Sequence, residues 1–102
     1  MPSEPSKQAD EIASIAAEGA LLAHDAAEGD TTETFTRLHA EALLEKLAQL
    51  QAKVHVDILR RLTLDAERAL TGLRDAPDDR GWAGRYERTL EKVSAVAEQY
   101  AG

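Results

Sequence analysis

The chain has 102 residues, enough for one small domain, and its 12 basic and 19 acidic residues give a net charge of −7. Binding to phosphates needs an excess of Lys and Arg, so this charge argues against nucleic acid and against an anionic membrane surface as partners. The absence of cysteine excludes disulfides and thiolate metal sites. No uncharged stretch approaches the ~18 residues of a membrane span, so we expect no membrane insertion.

The chain begins with a short segment that contains two prolines and two serines. This composition predicts a disordered leader over residues 1–6, followed by a single helical domain over 7–102. Helix formers dominate from there, and Gly29 suits the left-handed position just past a helix end. The first helix is therefore predicted over about 7–28.

A long segment without helix breakers comes next. Asp30 and Glu33 resemble a capping box at its start. Gly, Pro, Asn and Ser are all absent from Thr31 to Thr71, and apolar residues recur there about every 3.67 positions, which keeps them on one face of a nearly straight helix. The pattern predicts one long central helix over about 31–74, with a length of ~63 Å at 1.5 Å per residue.

The last helix follows a second group of turn residues between Asp75 and Gly84. Tyr86, Leu90 and Val93 then repeat at helical spacing, which predicts a helix over about 82–100. The fold class is all-α with three helices, and the two shorter ones pack antiparallel along the two halves of the central helix.

Such a two-layer rod has a small interior, because alanine accounts for 19 residues and buries little apolar area. Further apolar side chains on the central helix form a second strip that a single rod would leave exposed. We therefore expect an antiparallel homodimer with four-helix layers. The expected interface comprises Phe35, Leu38, Ala42, Leu44, Val56, Leu59 and Leu70, together with Trp82 in the second turn.

A competing architecture divides the long segment near 54–57. Val54 and Val56 are β-branched and weaken a helix, and Asp57 could cap a new one. Four segments of similar length would then form a compact monomeric four-helix bundle. The lack of loop residues favours the unbroken helix.

Three histidines are the main candidates for chemistry. None belongs to the Glu-x-x-His motif of di-iron bundles. His24 and Glu28 form an i, i+4 pair that could hold a metal weakly, and His55 is a further candidate. No serine has the pattern of a catalytic nucleophile with a positioned base, so we expect no catalytic site, no cofactor and no dedicated metal site.

These features predict a non-enzymatic helical module for dimerisation and protein–protein interaction, located in the cytoplasm. One alternative is a bundle that responds to a metal or small ligand through its histidines. Another is the soluble part of an exported or anchored protein whose targeting segment lies elsewhere.

Overall fold

The computed structural model describes residues 4–102, which form four helices: α1 (Glu4–Glu28), α2 (Glu33–Gln51), α3 (Asp57–Asp75) and α4 (Arg80–Ala101). The predicted all-α class is confirmed. The single central helix over 31–74 is wrong, because α2 and α3 occupy that segment as an antiparallel pair. The longest dimension of the chain is 41 Å, well below the ~63 Å expected for the unbroken helix. The competing four-helix bundle describes the fold.

The predicted leader lies partly outside the described residues. Residues 1–3 of that leader are the ones outside the described part. Residues 4–6 form the first turn of α1, so the helical region begins earlier than position 7.

The chain turns between α2 and α3 without a glycine or a proline. Val56 has an extended backbone (φ −80°, ψ 127°), which ends the helical path, and Val54 inserts its side chain into the core with 3 % of it exposed. The Lys53 carbonyl accepts a 3.1 Å hydrogen bond from Gln8 Nε2 of α1. Burial of Val54 and this hydrogen bond hold the turn against α1. Asp57 lies in the first turn of α3, where its negative charge interacts favourably with the helix dipole.

The other two turns use conventional capping. Gly29 adopts the predicted left-handed conformation, with φ 75°. The predicted capping box at Asp30 is wrong, because the N-cap of α2 is Thr32, whose hydroxyl accepts a 3.1 Å hydrogen bond from the Phe35 N–H. Asp79 caps α4 through the Trp82 N–H in the same way.

The four helices follow one another around the bundle. Helix α1 packs between α2 and α4, and α3 completes the ring on the opposite side; within residues 4–102, the backbones of α2 and α4 do not come close to each other. The α1–α4 contact is the most extensive of all. It includes a buried 3.0 Å hydrogen bond from Ser94 Oγ to the Ala13 carbonyl.

The apolar residues that recur about every 3.67 positions in the long segment form one stripe, most of which is buried in the core; it comprises Ala40, Leu43, Leu47, Leu50, Val54, Ile58, Leu62, Ala66, Ala69 and Leu73. Ile58 is an exception at 41 % exposed, and its neighbour Leu59 is fully buried instead. The turn before α3 shifts the first core position of that helix from Ile58 to Leu59, and the stripe resumes at Leu62. Gly19 of α1 packs against Leu70 and Leu90, which places α3 and α4 across the core from α1.

The expected second strip is therefore not a continuous surface. Leu59 and Leu70 are fully buried in the core, and Leu44 and Val56 are half-buried and pack against it. The layer of four helices that two chains were expected to supply is formed within one chain. The architectural reason for an antiparallel homodimer of long helices is thereby removed.

Alanine substitutions at Gly72 and Gly84 test how α3 and α4 pack together. A Cβ at Gly72 would overlap the Tyr86 ring, whereas a Cβ at Gly84 would meet nothing within 4 Å. Alanine normally stabilises a helix by about 1 kcal/mol relative to glycine, so Gly84→Ala should raise the free energy of unfolding. Gly72→Ala should lower it by about 1–2 kcal/mol, because overpacking outweighs the helix propensity. Urea denaturation measures both, and equal stabilisation by the two substitutions would contradict this packing.

Candidate functional site

A surface groove runs between α1 and α4. Its volume is about 480 Å³. Both helices contribute to the lining, which consists of Ala17, Ala20, Leu21, His24, Glu87, Glu91 and Ser94. Ala20 and Ser94 are buried at its base, Glu87 is half-buried, and Ala17, Leu21, His24 and Glu91 are exposed.

Leu21 is the most exposed large apolar side chain of the described chain, at 68 %. Its position follows from helical geometry: Leu22 faces the core at 2 % exposed, so the preceding residue is turned about 100° away from it. Isolated exposed leucines are common on protein surfaces. Leu21 differs because it stands beside Ala17 and Ala20 in a groove, which makes the apolar surface contiguous.

One ion pair spans the groove. His24 Nδ1 lies 3.1 Å from Glu87 Oε2, with the side chains 49 % and 23 % exposed. Protonated His24 donates this hydrogen bond, which joins α1 to α4. In residues 4–102, the only other ion pair within 4.0 Å joins the neighbours Arg74 and Asp75 on α3.

The surroundings of His24 favour its charged form. The hydrogen bond to Glu87 and then the attraction of the same carboxylate raise the pKa of His24 above its ordinary value of 6.5. Glu28 and Asp25 add smaller contributions in the same direction, against the effect of desolvation. His24 therefore keeps its positive charge to a higher pH than an ordinary histidine does.

His55 lies far from the other two residues considered for metal binding. His55 is in the turn next to Lys53, whose carbonyl binds Gln8 near the start of α1. His24 is sixteen positions further along α1, which corresponds to about 24 Å. Glu28 is exposed at the end of the same helix. Nowhere in residues 4–102 do three or more His, Asp or Glu side chains form a group that could hold a metal ion.

The interface residues predicted from the sequence are only partly on the surface. Phe35 and Leu38 are 54 % and 58 % exposed, and Ala42 is exposed on the same helix. The Phe35 ring makes an edge-on contact with His39, with centroids 5.5 Å apart. These residues form a small apolar area on α2, separate from the α1–α4 groove.

Trp82 lies at the start of α4 and is 49 % exposed. It stacks on Tyr86 with ring centroids 5.8 Å apart, and the Arg85 guanidinium lies 4.6 Å from its ring centroid. The exposed Trp82 ring is thus partly covered by its own neighbours, through stacking and a cation–π contact.

Leu21 and Glu87 are absent from the sequence-predicted site. A helical projection places Leu21 outside the buried apolar face of α1, so its exposure could have been found from the sequence. Its partnership with α4 could not, because the sequence pattern pairs α1 with the following segment and gives no sign of the larger α1–α4 contact.

Comparison with known proteins gives no match: no family model, no curated protein and no solved structure matches this chain. None of the helices within residues 4–102 is long and apolar enough to cross a membrane. The candidate site is therefore assigned from its geometry.

The His24–Glu87 pair makes the stability of the bundle depend on pH. Because folding raises the pKa of His24, its stabilising contribution is complete below the unfolded-state value of about 6.5 and is lost as the pH rises through the higher folded-state value. His24→Asn should therefore lower the melting temperature more at pH 5.5 than at pH 8.5. His55→Asn is the matched control, because His55 is exposed and forms no ion pair within 4.0 Å in residues 4–102. A His24→Asn effect that is the same at both pH values would contradict the role of this pair.

Proposed function

We propose that this chain is a non-enzymatic helical module that binds another protein through its outer surface. The observation that carries the proposal is Leu21, a 68 % exposed leucine in a groove, on a bundle whose core is already complete. A groove that leaves a large apolar side chain in contact with water offers a partner apolar surface to bury. A protein that covers it gains the hydrophobic free energy that folding leaves unused.

The non-enzymatic part of the proposal is supported by how the buried polar side chains are used. Ser94 donates to the Ala13 carbonyl, Thr63 to the Arg60 carbonyl, and Thr36 to the Thr32 carbonyl. Each of these hydroxyls serves the backbone of the bundle. Catalysis by a hydroxyl nucleophile would instead require a base within hydrogen-bond reach.

The proposed partner is a different protein, because one chain already supplies four helices. A homodimer is the alternative partner, in which a second copy would cover the same exposed leucine. The cytoplasmic location stays a prediction.

Affinity capture from the cells that produce the protein tests this function. The bait is the wild-type chain, compared with Leu21→Glu, Leu38→Glu and Leu64→Glu, which place one charge on α1, α2 and α3 at residues 68 %, 58 % and 48 % exposed. We expect a partner that wild type retains and that at least one variant loses, because a buried carboxylate opposes binding. All variants should keep the wild-type helical content, measured by circular dichroism.

Two results separate the alternatives. Recovery of only untagged copies of the chain would favour the homodimer. Failure to retain any protein specifically, or equal retention by all four baits, would contradict the proposed function.

A further inference from the structure

The α1–α4 groove differs from the grooves whose lining mixes acids with Lys or Arg. Its ionisable residues are His24, Glu87 and Glu91, with no Lys or Arg. The groove between α1 and α2 mixes acids with Lys46 and Lys53. The groove at Asp25, Asp30 and Phe35 also has only acidic ionisable residues. The α1–α4 groove thus combines an apolar floor with an edge that carries only carboxylates and one histidine.

A second groove with an exposed leucine lies on α3, and most of its charged residues are basic. Leu64 on α3 is surrounded by Arg60, Arg61 and Arg68, with Asp57 and Asp65 nearby. An acidic partner would suit that surface, and a basic partner would suit the groove at Leu21. The chain carries a net charge of −7, which also attracts a basic partner from a distance.

The shape of the α1–α4 groove favours a helix as its occupant. It follows two antiparallel helices, and from Ala17 to His24 it extends about 10 Å along α1. An amphipathic helix can place about two turns in such a groove, with apolar side chains at i, i+3 and i+4 against the floor. A short polar loop would leave Leu21 exposed.

We propose that the α1–α4 groove binds a basic amphipathic helix of a partner protein. The apolar face of that helix covers Leu21, Ala17 and Ala20, and its Lys or Arg side chains pair with Glu87 and Glu91. This inference rests on the proposed function and names the surface and the chemistry of the partner.

The two carboxylates have different roles in this complex. Glu87 already bonds to His24, so a basic side chain there competes with the imidazolium. Glu91 is exposed and forms no ion pair within 4.0 Å in residues 4–102. It is therefore available to a partner without breaking an existing contact, and its pairing should weaken at high salt.

The test uses a synthetic helical peptide of about four turns, with leucines along one face and lysines along its borders. A matched peptide has glutamates in place of the lysines. Binding to the full chain is measured by fluorescence anisotropy at pH 8. We expect the basic peptide to bind at least tenfold more tightly than the acidic one, and less tightly as salt is added.

Variants locate the binding surface. Leu21→Glu should weaken binding of the basic peptide at least tenfold, whereas Leu38→Glu on α2 should leave it within twofold. Both substitutions add one negative charge, so attraction to the net charge alone would favour both equally. Glu91→Gln should weaken binding severalfold, while Glu45→Gln, an exposed carboxylate on α2, serves as the matched control.

The inference is overturned if the basic peptide does not bind, if the acidic peptide binds equally well, or if Leu21→Glu and Leu38→Glu behave alike. Its failure is distinguishable from failure of the proposed function. A natural partner that is lost with Leu38→Glu or Leu64→Glu, and kept with Leu21→Glu, would remove the α1–α4 groove as the site while leaving the protein-binding function intact.

Discussion

The turn between α2 and α3 determines the rest of this structure. It converts a segment that has the period of one straight helix into two antiparallel helices, and it does so without glycine or proline. Burial of Val54 and the hydrogen bond from Gln8 to the Lys53 carbonyl compensate for the helical hydrogen bonds that are lost. With the turn in place, α4 reaches α1, and the core closes within one chain.

The extensive α1–α4 contact follows directly from this closure. In an extended arrangement the first and last helices would meet only at their ends. In the bundle they lie side by side, so Ser94 bonds to Ala13, and His24 meets Glu87. The candidate groove is thus a product of tertiary structure, assembled from residues more than sixty positions apart in the sequence.

The sequence was sufficient for the all-α class, for Gly29 as the end of α1, and for most of the buried stripe positions, because these depend on local propensity and helical period. It was insufficient for the break in the long segment. A helix there satisfies every local rule, and only the free energy of burying Val54 and closing the core favours the turn. Leu59 and Leu70 were placed on a surface strip for the same reason, since their burial requires α3 to face α1 and α4.

On the surface too, some features could be predicted from the sequence alone, whereas others depend on how the helices pack. The exposure of Leu21 follows from its helical phase, and the negative charge of the chain is visible in its composition. The combination of that leucine with Glu87 and Glu91 depends on the packing of α4. The proposed binding surface therefore depends on the fold, because a chain that remained extended between α2 and α3 would lack the groove.

The distance between α2 and α3 tests this account most directly. The chain has no cysteine, so nitroxide labels would attach only at the introduced cysteines of the double variant Arg37→Cys, Thr71→Cys. Pulsed electron–electron double resonance would measure the distance between the two labels. Adjacent antiparallel helices lie about 8–10 Å apart, so we predict a distance below about 25 Å, including the label arms. A single narrow distribution near the ~51 Å of one continuous helix over these thirty-four positions would contradict the bundle and the groove that depends on it.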